Sequence, residues 1–244
     1  MSLLLNCDLG ESFGSYTMGM DEAVMPYIDL ANIACGFHAG DAMVMQKTIG
    51  LARQHNVTIG AHPSYKDLTG FGRRSMNCSR DEIISDVLYQ LSALDGMAAS
   101  QGVCVEYVKP HGALYNDMMA KANVRLAIME AVASFHRPIS LMLQATPVAQ
   151  QHKEEAAQFS LQLQFEAFAD RCYNDDGSLL SRTKEGAVHS AEKMLAQVKQ
   201  LSERGQLTTI NGKVLTLQAD TLCVHGDNIE GVKAIAAIRD LISK

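Results

Sequence analysis

The sequence predicts an α/β fold in which parallel strands form the centre and helices cover them. Apolar, strand-like runs alternate with helical patterns about seven times along the chain. No glycine-serine linker or low-complexity tract interrupts this repeat, so a parallel sheet wrapped by helices is expected, either closed or open. Polar clusters follow nearly every strand-like run, which favours a closed barrel, because an open sheet concentrates its site at one switch point.

The expected strands are short apolar runs bounded by turn residues. In chain order they are Ser2 to Cys7, Leu30 to Cys35, Val57 to Ala61, Cys104 to Val108, Ile139 to Gln144, Leu161 to Phe168 and Thr221 to Val224. A hairpin is expected near residues 207–217, where Asn211-Gly212 between β-rich runs predicts a type I′ turn.

The expected helices lie between these strands and show apolar residues at three- and four-residue spacing. They are Ala42 to His55, Arg80 to Ser100, Val124 to Phe135, Pro147 to Phe159, Glu185 to Glu203 and Val232 to Ile242. Asp41 and Ser79 precede the first two as N-caps, and Gly102 is expected to end the second in the left-handed conformation.

Composition limits the classes of function. The chain has 244 residues, and residues 1–244 are expected to form a single domain. A net charge of −6 argues against nucleic acid or an anionic membrane as the main partner. We expect no signal peptide, and no apolar stretch reaches the ~20 residues that a membrane span needs. Six widely spaced cysteines without a C-x-x-C pair fit a reduced, cytoplasmic protein.

Candidate catalytic groups begin with two carboxylates, Asp8 and Glu11, just past the first strand. Such a pair can chelate a cation, accept hydrogen bonds from substrate N–H groups, or share a proton for acid/base work. Three histidines also follow strands: His38 between two glycines, His62 before a proline, and His111. An imidazole in this setting can exchange protons near neutral pH.

Charged candidates accompany them. Lys109 lies two residues before His111, so both side chains are expected on one face, with Glu166 or Asp8 as the partner that a buried lysine requires. Arg73 follows a glycine-rich loop suited to an anion. Further polar candidates flank the sixth and seventh strands: Glu166, Asp170, Arg171, His225 and Asp227.

Metal binding is an open alternative. The set resembles a metal site, yet no helical H-x₃-H or H-E-x-x-H spacing occurs, and Asp8, His38, His62 and His225 are the ligands expected if a metal binds. We interpret the other histidines as solvated surface groups, namely His55, His136, His152 and His189. Cys7, Cys35 and Cys223 are expected to be small buried apolar groups.

Seven stretches of the sequence closely resemble the LamB/YcsF family, in the same order and over nearly the whole chain. They are Asn6 to Glu11, Ala31 to Asp41, Gly60 to Tyr65, Gly70 to Arg74, Val108 to Tyr115, Glu166 to Arg171 and Cys223 to Asp227. The resemblance implies a (β/α)7-type, TIM-like barrel related to glycoside hydrolases and polysaccharide deacetylases. It also implies the A subunit of a 5-oxoprolinase, which with subunits B and C opens the lactam of 5-oxoproline to glutamate while hydrolysing ATP.

Under that resemblance the candidate residues receive roles. Lactam opening needs a base, an acid for the ring nitrogen, and cations for the substrate carboxylate and the developing oxyanion. Asp8, Glu11 or a histidine is the candidate base, and the other histidines supply acid and oxyanion contacts. Lys109 with Arg73 or Arg171 is expected to bind carboxylate or phosphate. No P-loop occurs in this chain. A partner subunit is therefore a candidate to bind ATP with Mg²⁺.

Two other functions remain open from the sequence. In the first alternative, the chain binds 5-oxoproline without catalysis and delivers it to a partner. In the second, it acts alone as a metal-dependent deacetylase or amidohydrolase. The first is distinguished by binding without turnover, and the second by tightly bound metal and hydrolysis without ATP.

Overall fold

Seven parallel strands close into a barrel in the computed structural model, which describes residues 3–225 and 229–242. Around the barrel the strands follow chain order, and the last pairs with the first. They are β1 (Leu4–Leu9), β2 (Leu30–Ala34), β3 (Thr58–His62), β4 (Val105–Val108), β5 (Ser140–Gln144), β6 (Gln162–Phe168) and β9 (Thr221–Val224). The predicted barrel is therefore confirmed.

Helices cover the outside of the barrel. They are α1 (Asp21–Val24) with a 3₁₀ turn (Met25–Tyr27), α2 (Ala42–His55), α3 (Arg80–Ser100), α4 (Gly112–Ala120), α5 (Ala122–Ala133), α6 (Ala149–Ala157), α7 (Ala191–Arg204) and α8 (Ile229–Ile242). The main apolar core runs between these helices and the outer face of the strands. No helix within the described residues is both long and apolar enough to cross a membrane.

The predicted bounds of α2 and α3 are confirmed, because each helix begins at a capped residue. Asp41 accepts hydrogen bonds from the backbone N–H groups of Met43 and Val44, and Ser79 forms a capping box with Glu82. Gly102 follows α3 with a φ of +77°, the left-handed conformation expected there.

The helix pattern was wrong in two places. Helix α4 starts directly after the Lys109–His111 segment, where the sequence indicated only a polar loop, and Leu114 and Met118 bury its inner face. Helix α7 begins at Ala191, not Glu185, because Ser190 is its N-cap and the N–H of His189 binds the Asp170 carbonyl. Tertiary contacts thus override a helical pattern at residues 185–190.

The predicted hairpin is present as β7 (Gln206–Thr208) and β8 (Val214–Thr216), which pair antiparallel. Its turn is not type I′, because that turn needs a positive φ at both central residues and Asn211 lacks one. Instead the N–H of Gly212 binds the Thr209 carbonyl, and Gly212 takes a φ of +82°. A left-handed glycine at the end of the turn suits a longer hairpin loop.

The barrel interior is polar and closely packed. A Cβ atom on Gly60 would lie 2.2 Å from the Tyr107 ring, so the absence of a side chain in β3 makes room for that ring inside the barrel. The Tyr107 hydroxyl donates a hydrogen bond of 2.6 Å to Asn32 Oδ1. In the register of β1 and β2, Asn32 lies beside Asp8. Strand pairing therefore gathers amide, phenol and carboxylate groups at the centre.

Two predictions about side-chain exposure have different outcomes. His152 is buried, with 3% of its surface exposed, so its interpretation as a solvated surface group was wrong. It lies on α6, and burial lowers the pKa of its imidazole. All six cysteines are free, and Cys7, Cys35 and Cys223 are buried as expected. Burial raises the pKa of all three thiols, to about 12 for Cys35, which disfavours a thiolate nucleophile.

Candidate active site

A buried lysine occupies the centre of the barrel mouth, the end formed by the carboxyl ends of the strands. The Lys109 ammonium lies 2.9 Å from Asp8 Oδ1 and 3.0 Å from Glu166 Oε2, and it donates to Cys223 Sγ at 3.1 Å. Lys109 is 2% exposed and Glu166 is fully buried. Both partners that the sequence indicated for this lysine are thus present, and a buried cation is matched by two carboxylates.

Side-chain amides complete this network. Asn32 Nδ2 donates to Asp8 Oδ1 at 2.8 Å and to Asn6 Oδ1 at 2.9 Å, while Asn6 Nδ2 donates to Thr221 Oγ1 at 2.8 Å. Asn6, Asn32 and Tyr107 were not selected as site residues from the sequence. The available signal was alternation, since Asn6 and Asp8 are two residues apart on one strand and share a face.

The charges in this network are fixed by one another. Burial opposes ionisation of Asp8, but the charges of His62 and Lys109 hold the pKa of its carboxyl well below the usual value. Burial likewise opposes the Lys109 ammonium, and Asp8, Cys223 and Glu166 raise its pKa well above the usual value. Asp8 is therefore an ionised carboxylate and a weak base, and Lys109 is a permanent cation.

Glu11, His38, His62 and His111 form a second group, which we call the histidine cluster. His62 Nε2 lies 3.0 Å from His111 Nδ1, and Glu11 Oε1 lies 3.3 Å from His38 Nε2 and 3.6 Å from His111 Nδ1. The rings of His38 and His111 stack at 3.7 Å with an interplanar angle of 7°. All four residues are buried.

Backbone carbonyls fix two of these rings. His62 Nδ1 lies 2.6 Å from the Lys109 carbonyl oxygen, and His111 Nε2 lies 2.9 Å from the Phe71 carbonyl oxygen. Gly72 lets the loop approach this closely, because a Cβ there would lie 2.8 Å from the His111 ring and 2.9 Å from His38 Cβ. Its φ of +63° also favours glycine.

Burial makes part of the cluster neutral. Desolvation lowers the pKa of His38 well below the usual value, and the neighbouring His62 lowers it further. Desolvation also lowers the pKa of His111, with His38 and His62 acting in the same direction. The rings of His38 and His111 are therefore neutral imidazoles near pH 7, with lone pairs available to a proton or a cation.

A third arrangement joins the ends of β6 and β9. Asp170, which is fully buried, directs its carboxylate at His225 Nδ1 over 3.1 Å and 3.2 Å. The His225 ring stacks on Phe168 at 5.4 Å, and its side chain keeps 15% of its surface exposed. An oriented, partly accessible imidazole paired with a carboxylate is suited to proton transfer.

Three other residues were also predicted to bind substrate. Arg73 is exposed and lies over the Phe71 ring, with its guanidinium carbon 5.1 Å from the ring centre, next to the histidine cluster. Arg171 donates to the carbonyls of Leu180 and Ala187, contacts that hold its own loop in place. Substrate binding by either arginine stays a prediction, and Asp227 lies outside the described residues.

Tyr115 is a site residue that the sequence pattern did not single out. It lies on α4, it is buried, and its ring meets Phe168 edge to face at 6.1 Å. Burial raises the pKa of its phenol well above the usual value, and the neighbouring Glu166 carboxylate acts in the same direction. Tyr115 therefore stays protonated beside the lysine network.

Two groups within the described residues have the geometry to hold a cation. One is the histidine cluster, and the other is Asp8, Cys223 and His225; in each, the possible ligand atoms lie within 4.8 Å of one another. The set expected from the sequence (Asp8, His38, His62 and His225) does not form one such group. It is divided between the two, because β1 lies between β2 and β9 in the barrel.

Known proteins are similar to this chain in sequence and in fold. The model of the LamB/YcsF family matches residues 3–244. The A subunit of 5-oxoprolinase from Pseudomonas fluorescens (strain Pf0-1) is 51% identical over 243 residues, which cover 99% of this chain and 97% of that protein. The protein of the same name from Vibrio campbellii is 52% identical over 238 residues, which cover 97% of this chain and 94% of that protein.

A solved structure agrees with the same assignment. The lactam utilization protein from Thermus thermophilus superposes with a TM-score of 0.91 at 34% identity, covering 100% of this chain and 96% of that one. The barrel, the order of the motifs and the full-length similarity lead to one conclusion. The chain belongs to the LamB/YcsF family.

Proposed function

We propose that this chain is the A subunit of an ATP-dependent 5-oxoprolinase and carries the lactam-opening site. The observation that supports this most directly is the pairing of His225 with Asp170 at the mouth, beside the Asp8–Lys109–Glu166 network. Relatives at 51 and 52% identity over nearly the full chain carry the name of the A subunit of 5-oxoprolinase. The same pairing would serve hydrolysis of any small cyclic amide, and the relatives' names favour 5-oxoproline.

The chemistry of a lactam indicates what the site must supply. A five-membered cyclic amide is unreactive, and transfer of the ATP γ-phosphoryl group to its carbonyl oxygen activates the carbonyl carbon. Water then adds to that carbon, the C–N bond breaks as the nitrogen gains a proton, and hydrolysis of the resulting acyl phosphate gives glutamate and phosphate. The site therefore needs a group that first removes a proton from water and then delivers one to nitrogen.

His225 is the group best placed for both transfers. Asp170 holds Nδ1 and stabilises the imidazolium that forms, as in other carboxylate-histidine pairs. Asp8 is less suited to be the base, because its pKa is held well below the usual value. In their neutral forms, His62 and His111 donate their one proton to a backbone carbonyl and direct a lone pair at the cluster, so they do not serve as oxyanion donors there.

Charge indicates where the anionic parts of the reactants bind. Lys109 is already balanced by two carboxylates, which disfavours a triphosphate at the centre of the mouth. We assign ATP and Mg²⁺ to the partner subunits, B and C, and the substrate carboxylate to Arg73 at the exposed rim. A reducing, cytoplasmic location is proposed from the six free cysteines.

The decisive experiment measures glutamate released from 5-oxoproline by this chain alone, by the partners alone and by the reconstituted complex, with and without ATP. We expect turnover only in the complex with ATP, and loss of turnover in His225→Asn. A complex in which His225→Asn reduces affinity but keeps the maximal rate would instead identify a non-catalytic binding subunit. Hydrolysis by the chain alone without ATP would identify an independent amidohydrolase.

A further inference from the structure

The contact between His62 and His111 brings together two ring nitrogens that both act as hydrogen-bond acceptors when the rings are neutral. A carbonyl oxygen only accepts hydrogen bonds, so His62 Nδ1 and His111 Nε2 must each carry a proton in their contacts with Lys109 and Phe71. In the neutral rings the remaining nitrogens, His62 Nε2 and His111 Nδ1, both carry lone pairs. They face each other at 3.0 Å, and this contact requires a positive charge between or beside them, either a proton that the two rings share or a bound cation.

Other acceptors surround the same point. Glu11 Oε1 lies 3.6 Å from His111 Nδ1 and 3.3 Å from His38 Nε2, and Asp8 Oδ2 lies 3.3 Å from His62 Nε2. Ligand atoms about 2.0–2.2 Å from one ion lie about 2.8–3.6 Å apart at coordination angles between about 90° and 109°. The three separations that join Glu11, His38, His62 and His111, at 3.0, 3.3 and 3.6 Å, match edges of such a coordination shell.

The surroundings of the cluster also fit a bound ion. Metal-binding histidines commonly donate their second ring nitrogen to a carbonyl or carboxylate, as His62 and His111 do. At His38 this second nitrogen, Nδ1, is buried and has no hydrogen-bond partner among the described residues. The His38 ring stacks on His111 and holds its Nε2 towards Glu11.

From this geometry we propose that Glu11, His38, His62 and His111 bind one divalent transition-metal ion. Imidazole and carboxylate ligands suit zinc and its neighbours in the first transition series better than magnesium or calcium. This ligand set differs from the one that the sequence suggested: His225 pairs with Asp170, and Asp8 is held by Lys109 and Asn32 and contacts the cluster at His62. The inference deepens the proposed function, since a bound ion would act as a Lewis acid for an oxygen of the substrate.

The test measures metal directly and does not depend on turnover. The full-length chain is stripped with chelator, titrated with Co²⁺ and Zn²⁺, and analysed by visible absorption, calorimetry and elemental analysis. We expect about one ion per chain in the wild type. Glu11→Gln and His111→Gln are expected to weaken affinity at least tenfold, whereas His136→Gln, a surface histidine with a side chain 66% exposed, keeps the wild-type affinity.

The outcomes separate the site from the function. Substoichiometric metal in the wild type, or equal affinity in Glu11→Gln, His111→Gln and the wild type, refutes the site and leaves a shared proton between the two histidines. Thermal melting of each variant identifies unfolded preparations. If both are unfolded, His225→Asn decides the matter, because it removes a ligand of the second candidate group: an ion that is kept lies in the histidine cluster, and an ion that is lost refutes the site. Metal binding without ATP-dependent lactam opening supports the site and refutes the function. Turnover by the metal-free wild-type complex supports the function and refutes the Lewis-acid role of the ion.

Discussion

His225 Nδ1 lies 3.1 Å from the carboxylate of Asp170, a residue with no exposed surface. A carboxylate that is buried to this extent orients the imidazole and stabilises its protonated form. Replacing Asp170 with Asn keeps the shape but removes the charge and allows the wrong tautomer. We expect Asp170→Asn to lower kcat of the reconstituted complex by about 10²–10⁴-fold with little change in KM.

Steady-state kinetics over a range of pH check this prediction. Removing the Asp170 carboxylate should also change the low-pH limb of the kcat profile. An Asp170→Asn complex with the wild-type kcat and pH profile would remove His225 from the proton-transfer role.

The Lys109 ammonium is expected to contribute to the stability of the protein as well as to its candidate site. Lys109→Met removes the cation that balances Asp8 and Glu166, and breaking a buried ion pair costs about 3–5 kcal/mol. We expect a decrease of that size in the free energy of unfolding, measured by urea denaturation. As a control, Lys47→Met removes a lysine whose side chain is 68% exposed, and should leave the midpoint nearly unchanged. Equal midpoints for the two variants would contradict the buried network.

Gly60 and Gly96 provide a paired test of packing. Gly60→Ala places a Cβ 2.2 Å from the Tyr107 ring inside the barrel, whereas nothing lies within 4 Å of a Cβ at Gly96 on α3. We expect Gly60→Ala to destabilise the protein by about 1–3 kcal/mol through overpacking, and Gly96→Ala to stabilise it by about 0.5–1 kcal/mol. Thermal and urea unfolding measure both, and a neutral Gly60→Ala would contradict the position of Tyr107.

The stability of the protein should fall as the pH is lowered through the normal range of histidine. Burial lowers the pKa of His152 in the folded state, so the unfolded chain binds more protons once the pH falls below about 6.5. Stability is then complete above that pH and is lost as the pH decreases below it. His152→Gln should lose less stability than the wild type between pH 7.5 and 5.5. Identical pH dependence in the two proteins would show that His152 does not contribute.

Much of the fold could be predicted from local sequence. Asp41 and Ser79 marked the starts of α2 and α3 because a helix cap is a property of a few adjacent residues. The seven strands were recognisable because buried parallel strands are short, continuous apolar runs. Helix α4 was missed because its first residues follow a Lys-Pro-His segment with the composition of a loop.

The sequence predicted which residues form the candidate site better than it predicted how they contact one another. Glu166 or Asp8 was expected as the partner of Lys109, since a buried cation requires a counter-charge, and the structure shows both. The contributions of Asn32, Tyr107 and Tyr115 were not recognised. Each is polar in an apolar context. The register of neighbouring strands brings Asn32 and Tyr107 to the centre, and the packing of helix α4 places Tyr115 against Phe168.

The sequence by itself determined the barrel, the end at which the polar residues gather, and the family. Tertiary structure alone decided how those residues divide: Glu11 and three histidines in one cluster, Asp8 with Lys109, and Asp170 with His225. The reason is that strand ends are set by local patterns, whereas contacts around a closed barrel depend on strand order and register. The chemical type of each side chain is therefore known from the sequence, whereas its contact partners are known only from the closed barrel.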